Sequence, residues 1–260
     1  GGPVREKGLP QGYLNGLNLS NHQDYGIIVG QGQAAPDFGS GTIDLTTMLT
    51  KQLDLAFETG HGKGGFAAGE TLPTSGTVHI WAITDTKGMA DIFANDHAVS
   101  GLHPNLPEGY VAKRRIGSIV TDAGALRPFH QIGTDRHRKI DFRPHVRDLA
   151  FFSLGTTITD IAISVPTGLK VKADVSVGFA TSPAAFAWAV KVYDPDEGHY
   201  NATTDYTVFN AIPNIYETTG VITGDQRRID VMTDPMSQIR IDATNSGNID
   251  VITLGYTDFL

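Results

Sequence analysis

The feature that most constrains this chain is the stretch GLKVKADVSVGFA, residues 168–180, in which Leu169, Val171, Ala173, Val175, Val177 and Phe179 alternate with Lys170, Lys172, Asp174, Ser176 and Gly178. Alternation of apolar and polar side chains puts every apolar one on a single face of an extended strand, so this segment is a half-buried β-strand. AAFAWAVKVY repeats the pattern through Phe186, Trp188, Val190 and Val192, SQIRIDA does so through Ile239 and Ile241, and GNIDVITLGYTDF follows near the end. Turn clusters separate them: Ser182-Pro183, Asp194-Pro195-Asp196-Glu197-Gly198, Gly224-Asp225, Asp234-Pro235 and Asn245-Ser246-Gly247-Asn248. Glycine, proline, asparagine and aspartate favour such turns by backbone freedom or local hydrogen bonding, and short strands at this spacing imply an antiparallel sandwich.

In the first half, strands are expected at residues 26–29, 77–83, 90–94, 110–121 and 126–131. One helix is expected: Leu45, Met48, Leu49, Leu53, Ala56 and Phe57 recur at spacings of three and four, the periodicity of a helical face. The glycine loop ETGHGKGGF, residues 58–66, follows it. Gly60, Gly62 and Gly65 match G-x-G-x-x-G, but that pattern cradles a pyrophosphate only when a strand precedes it and a helix follows. Here the expected order is reversed, and Gly64 stands where a P-loop needs Ser or Thr. Gly60 is therefore read as the left-handed cap that ends the helix.

The expected fold is all-β and mainly antiparallel: two β-sandwich or jelly-roll-like domains with one short helix in the first. At 260 residues the chain has room for two ordinary domains, and the pattern changes within FRPHVRDLAF, residues 142–151. The expected divisions are an N-terminal attachment arm at 1–14, a first β domain at 15–146 and a C-terminal β-sandwich at 147–260. The arm, rich in glycine and proline, has no periodic apolar face and lacks the apolar core of a signal peptide. No apolar run reaches the roughly 20 residues of a membrane span, so no membrane insertion is expected.

Cysteine is absent, which removes disulfides, thiol nucleophiles and cysteine metal sites. The net charge of -8 is unevenly spread: residues 113–147 hold nine basic and three acidic side chains, a surplus of +6 that leaves -14 elsewhere. Clustered Lys and Arg can mark a nucleic-acid surface, but no nucleic-acid motif accompanies them. They are read instead as a contact between copies of the chain or with an acidic neighbour, with Lys113, Arg114, Arg115, Arg136, Arg138 and Lys139 as its candidates.

No catalytic, cofactor or metal site is assigned. His130, His137 and His145 lie at spacings of seven and eight, which match no zinc motif. His22, Asp24, His97 and His103 have no recognisable companions. DPDEGHY, residues 194–200, crowds three carboxylates that suit calcium in kind, but Gly198 breaks the EF-hand register and a solvated acidic turn is the better reading. Ser118, Ser153 and Ser164 lie in no nucleophile elbow.

Taken in order, GLNLSNHQDYGIIVGQGQAAP, LTKQLDLAFETGHGKGGF, VHIWAI, ADIFAN, LPEGYVAKRRIGSIVTD, LRPFHQIG, VPTGLKVKADVSV and ITLGYTDF resemble segments of tailed-bacteriophage and prophage virion proteins, usually described as tail-fibre or minor structural proteins. The resemblance spans roughly residues 14–260, and the segment TDRHRKIDFRPHV departs from it. It implies that the helix and glycine loop are architecture, and that the chain is a non-enzymatic, β-rich particle appendage. A tail fibre engaged in host attachment and receptor binding is the first form, and a head fibre or decoration protein on the capsid surface is an alternative. Its expected place is the virion, as a homo-oligomer, with a trimer following from the fibre resemblance; its partners would be other virion proteins and a host-surface glycan. A carbohydrate-binding module that uses Trp188, Tyr193, Tyr200 or Tyr206 for stacking and a glycan-cleaving tailspike are the competing classes.

Overall fold

The computed structural model describes residues 9–37, 41–133, 135–181, 190–197, 211–212, 223–243 and 246–260. The chain divides into two compact units, Gly1–Arg143 with Asp258–Leu260, and Pro144–Thr257. It is all-β, with strands in large, mainly antiparallel sheets.

In the first unit the strands are β1 (Leu14–Gly16), β2 (Leu19–His22), β3 (Gly26–Val29), β4 (Gly32–Ala34), β5 (Ile43–Leu45), β6 (Leu49–Ala56), β7 (Lys63–Phe66), β8 (Gly76–Asp85), β9 (Ala90–Asp96), β10 (Tyr110–Asp122), β11 (Ala125–Leu126), β12 (Phe129–Ile132) and the start of β13 (His137–Leu154). The main sheet runs in the order β11, β10, β8, β9, β7, β6, β3, β2, β12, β13, and a small sheet is ordered β1, β4, β5. Among the described residues, neighbouring strands pair antiparallel except β6 with β7 and β7 with β9, which are parallel. Strand β8 is the centre of the core: eight of its ten residues, Thr77 to Thr84, are buried. Both faces are covered, so it reads as a continuous apolar run rather than an alternation. The buried indole of Trp81 is also satisfied, since its Nε1 donates to Asn95 Oδ1 at 2.6 Å.

The expected helix at residues 45–57 is not formed. That segment holds β5 and β6, and the helix of this unit is the single turn α1, His97–Ser100. The cause lies in Lys51, which faces inward between Leu49 and Leu53 and is fully buried, while Met48 and Leu55 are 57% and 54% exposed. A strand with a buried lysine hides its own alternation, and the leftover apolar positions mimic a helical face. Gly60 accordingly caps no helix; it has φ of 109° in the turn between β6 and β7. Turn α1 is capped by Asp96, whose carboxylate accepts from Ala98 N at 2.9 Å, and closed by Gly101.

The N-terminal arm falls for residues 1–8 outside the described residues. At its other end, Leu14 is buried and opens β1, paired with Ala34. The arm as drawn to residue 14 therefore includes one residue of the core.

The second unit contains the rest of β13, with β14 (Thr159–Ala162), β15 (Lys172–Thr181), β16 (Val190–Tyr193), β17 (Ala211–Ile212), β18 (Thr223–Met232), β19 (Gln238–Ala243) and β20 (Gly247–Phe259). One sheet is ordered β13, β20, β15, β18 and the other β14, β19, β16, β17. Val171, Ala173, Val175, Val177 and Phe179 are all at most 2% exposed, the inward face that alternation assigns. The pairing of β15 with both β18 and β20 makes it an interior strand. Trp188, Tyr200 and Tyr206 lie outside the described residues. Tyr193 is only 4% exposed, which removes it as a stacking platform, because its ring belongs to the core.

The closest backbone approach in the first unit is at Gly64, where a Cβ would lie 1.9 Å from Ala56 O. A main-chain atom cannot step aside as a flexible side chain can. Gly64→Ala is expected to lower the unfolding free energy by more than about 2 kcal/mol, whereas Lys63→Ala, on an exposed side chain, leaves it within about 0.5 kcal/mol. Urea unfolding of both variants measures this.

Candidate functional site

The glycine loop is held by a buried ion pair. Lys51 on β6 and Asp91 on β9 are 0% and 2% exposed, with Nζ 2.9 Å from Oδ1. Lys51 Nζ also donates to Glu58 O at 2.6 Å and stands 4.7 Å from the centre of the Phe57 ring. Asp91 in turn accepts from Gly60 N at 2.8 Å, Ile92 N at 2.7 Å and Tyr110 Oη at 3.3 Å. Burial holds the Lys51 ammonium below its ordinary range, against the opposing pull of Asp91. Gly62 N donates to Thr50 O at 2.8 Å, and His61 Nδ1 accepts from Thr50 N at 3.3 Å. The amides of Gly60 and Gly62 are thus engaged by this chain's own oxygens, and a carboxylate lies beneath the loop. Those amides are therefore not free to cradle a phosphate.

Around the loop lie two adjoining hollows. The first, about 460 Å³, has a floor that includes Phe57, Phe93 and Leu106, with Glu58, Glu70 and Glu108 among its lining. The second, about 550 Å³, is lined by Met48, Met89, Asp44, Asp85 and Tyr110 among others. Thr59 and Glu108 line both. Phe57 meets Phe93 and Tyr110 edge to face, with centroids 6.0 and 5.5 Å apart, so the floor is a fixed aromatic group. Met48 and Met89 are 57% and 66% exposed.

A second polar system crosses the interior of the same unit. His97 Nδ1 lies 2.9 Å from His79 Nε2, His79 Nδ1 lies 2.8 Å from Ser118 Oγ, and Arg115 donates to Ser118 Oγ at 2.8 Å. Arg115 ends the chain with a two-pronged pair to Asp258, at 2.6 and 3.0 Å. The expectation that His97 has no companion is corrected: its partner, His79, is 18 residues away in sequence and is brought to it by the pairing of β8 with β9. A serine and a histidine at this distance have the geometry of a nucleophile and base, but His79 and Ser118 are 0% and 1% exposed, so the pair is enclosed by the fold. Burial first, then Arg115 and His97, pushes His79 down to about 3.

Of the residues anticipated as an assembly contact, Arg138 is 1% exposed. Its guanidinium donates to the carbonyl oxygens of Leu17 at 2.7 Å, Ile116 at 2.8 Å and Gly16 at 2.5 Å, and burial lowers it to about 10. It is enclosed by its own chain and clamps the crossing from β1 to β2, where Leu17 has φ of 55°. Arg115 pairs with Asp258 and Arg114 with Asp37 at 3.0 Å. Lys113 lies over the Trp81 ring and donates to Pro104 O at 2.9 Å. Lys139 is partly buried on β13, and Arg136 is exposed. The six therefore form no single patch: four fasten the first unit internally.

In the second unit the acidic turn holds a cation of its own, because Lys170 Nζ is 2.8 Å from both Asp194 and Asp196. Among the described residues, no group of three or more His, Asp or Glu side chains could hold a metal ion, and no helix is long and apolar enough to cross a membrane. No protein-family model and no curated protein matches the chain.

Sequence reasoning passed over Lys51, Asp91 and His79. The available signal was weak: a lysine at an inward position of an alternating strand is ordinarily read as the end of that alternation.

The His79 shift has a pH consequence. Its folded value lies near 3, below the ordinary 6.5 or so of an unfolded histidine, so the unfolded state binds the extra proton. The contribution is fully present above pH 6.5 or so and is lost as pH falls toward 3, at a slope of about 1.4 kcal/mol per pH unit. Urea unfolding of wild type and His79→Gln from pH 7 to 4 is expected to show the wild type losing stability faster by that slope. Parallel curves would mean that the folded protein admits the proton.

Proposed function

We propose that this chain is a non-enzymatic structural protein of a bacteriophage particle, a tail fibre or other surface appendage that serves host attachment. The observation that carries the reading is that the segments resembling phage virion proteins coincide with neighbouring strands. GLNLSNHQDYGIIVG supplies β2 and β3, LTKQLDLAFETGHGKGGF supplies β6 and β7, and VHIWAI, ADIFAN and EGYVAKRRIGSIVTD supply β8, β9 and β10. These strands stand side by side in the order β10, β8, β9, β7, β6, β3, β2. Segments scattered over about a hundred residues thus make one sheet, as a shared architecture requires.

The all-β fold is consistent with an appendage, whose work is mechanical and adhesive. The His79–Ser118 pair offers no accessible nucleophile, because its serine is buried in β10 and accepts from Arg115. Assembly as a homo-oligomer, a trimer in the fibre reading, remains part of the proposal. With Arg114, Arg115 and Arg138 engaged internally, Arg136 is the exposed member of the basic set that is left for a contact between copies or with an acidic virion neighbour.

Antibody raised to the purified chain and imaged with gold on the parent particle tests the reading. Labelling at a fixed position on the particle surface, with several copies per particle, is expected. Sedimentation of the isolated chain is expected to give a trimer. Particles that carry no label, with the chain found only in infected cells, would overturn the assignment.

A further inference from the structure

We infer that the two hollows flanking the glycine loop form one binding groove for a short neutral oligosaccharide. Each lies within the roughly 300–1,000 Å³ of small-molecule sites, and Thr59 and Glu108 form their common rim. The lining offers what a pyranose presents. Phe57, Leu106, Met48 and Met89 give apolar surface for the C–H face of a ring, and Thr59, Asn105 and Glu108 give oxygen acceptors for its hydroxyls.

Charge selects among sugars. Glu58, Glu70 and Glu108 border the first lobe, Asp44 and Asp85 the second. The lysines beside them are already engaged, Lys63 with Glu58 at 2.9 Å and Lys51 with Asp91 at 2.9 Å. A carboxylate accepts strongly from a hydroxyl and repels a sialic or uronic acid, so the ligand is uncharged. A peptide strand fits less well: extended peptides are held by a main-chain ladder, and the loop amides of Gly60 and Gly62 are already engaged within the chain.

The groove is also built in advance. Its floor is fixed by the edge-to-face rings and by Lys51 with Asp91, and its rim includes turns at Gly60, Gly88 and Gly109 where a Cβ would meet nothing within 4 Å. A rigid floor lowers the ordering cost that weakens sugar binding.

This inference deepens the proposed function and rests on it only for the biological source of the sugar. The test is an array of neutral hexose and N-acetylhexosamine oligosaccharides beside their sialylated counterparts, probed with the full chain and followed by calorimetry on the strongest hit. Neutral sugars are expected to bind, with sialylated counterparts weaker by about tenfold or more. Ala68→Trp, which fills the first lobe from an exposed position, and Glu108→Lys, at the shared rim, are each expected to weaken binding by about tenfold or more with unchanged melting. Met89→Ala provides a third, exposed position in the second lobe should either variant lose its fold. No neutral sugar bound, a preference for sialylated ones, or binding untouched by every folded variant would overturn the inference. A chain that labels the particle but binds no sugar removes this inference and leaves the proposed function standing; sugar binding by a chain that never labels a particle does the reverse.

Discussion

A lysine ammonium and an aspartate carboxylate, both withdrawn from water, set the terms for the first unit. Taking such ions out of water costs several kcal/mol each, and their mutual attraction offsets this only if the remaining hydrogen-bonding capacity is met. Here Lys51 reaches Asp91 and Glu58 O and lies over Phe57, while Asp91 gathers donors from Gly60, Ile92 and Tyr110. Those partners come from three strands and the glycine loop. The pair therefore specifies where β6, β9, β10 and the loop stand relative to one another, more than it adds net stability. The aromatic floor of the groove follows from it, because Phe57 is held between the buried ammonium and the Phe93 and Tyr110 rings.

The same economy governs the basic residues. Arg138 donates to four main-chain carbonyls, those of Gly16 and Leu17 at the β1–β2 crossing, of Ile116 in β10 and of Asp135, and Arg115 carries a bidentate pair that fixes Asp258 to β10. Unlike lysine, arginine offers several donors in a fixed fork, so a single side chain can close several gaps in the ladder at once. The positive surplus between residues 113 and 147 is thus largely an internal fastening system, and the field at the outer surface is set by the fewer charges that face water.

The fold class was legible because alternation is a strong signal where one face is buried, as β15 shows through Val171 to Phe179. It failed at β6 for a physical reason: the inward position between Leu49 and Leu53 is a lysine, and burial of a charge depends on Asp91, some forty residues away. No local pattern announces that partner. The turn α1 carried a signal that composition alone obscured, an aspartate cap at Asp96 and a closing glycine at Gly101. The groove was not legible at all, since its lining comes from five separate stretches of the chain, between residues 44 and 110. The candidate contact residues were chosen by charge, and charge by itself does not distinguish a side chain that faces solvent, such as Arg136, from one that fills a crossing, such as Arg138.

The glycine loop is architecture fixed by Lys51 and Asp91. A double-mutant cycle with Lys51→Met, Asp91→Asn and the combined variant, followed by urea unfolding at neutral pH, examines it directly. Each single change is expected to cost about 3–5 kcal/mol because it strands one buried group, and the double variant is expected to cost less than the sum by more than about 1 kcal/mol. Single changes within about 0.5 kcal/mol of wild type, or strictly additive ones, would contradict the account.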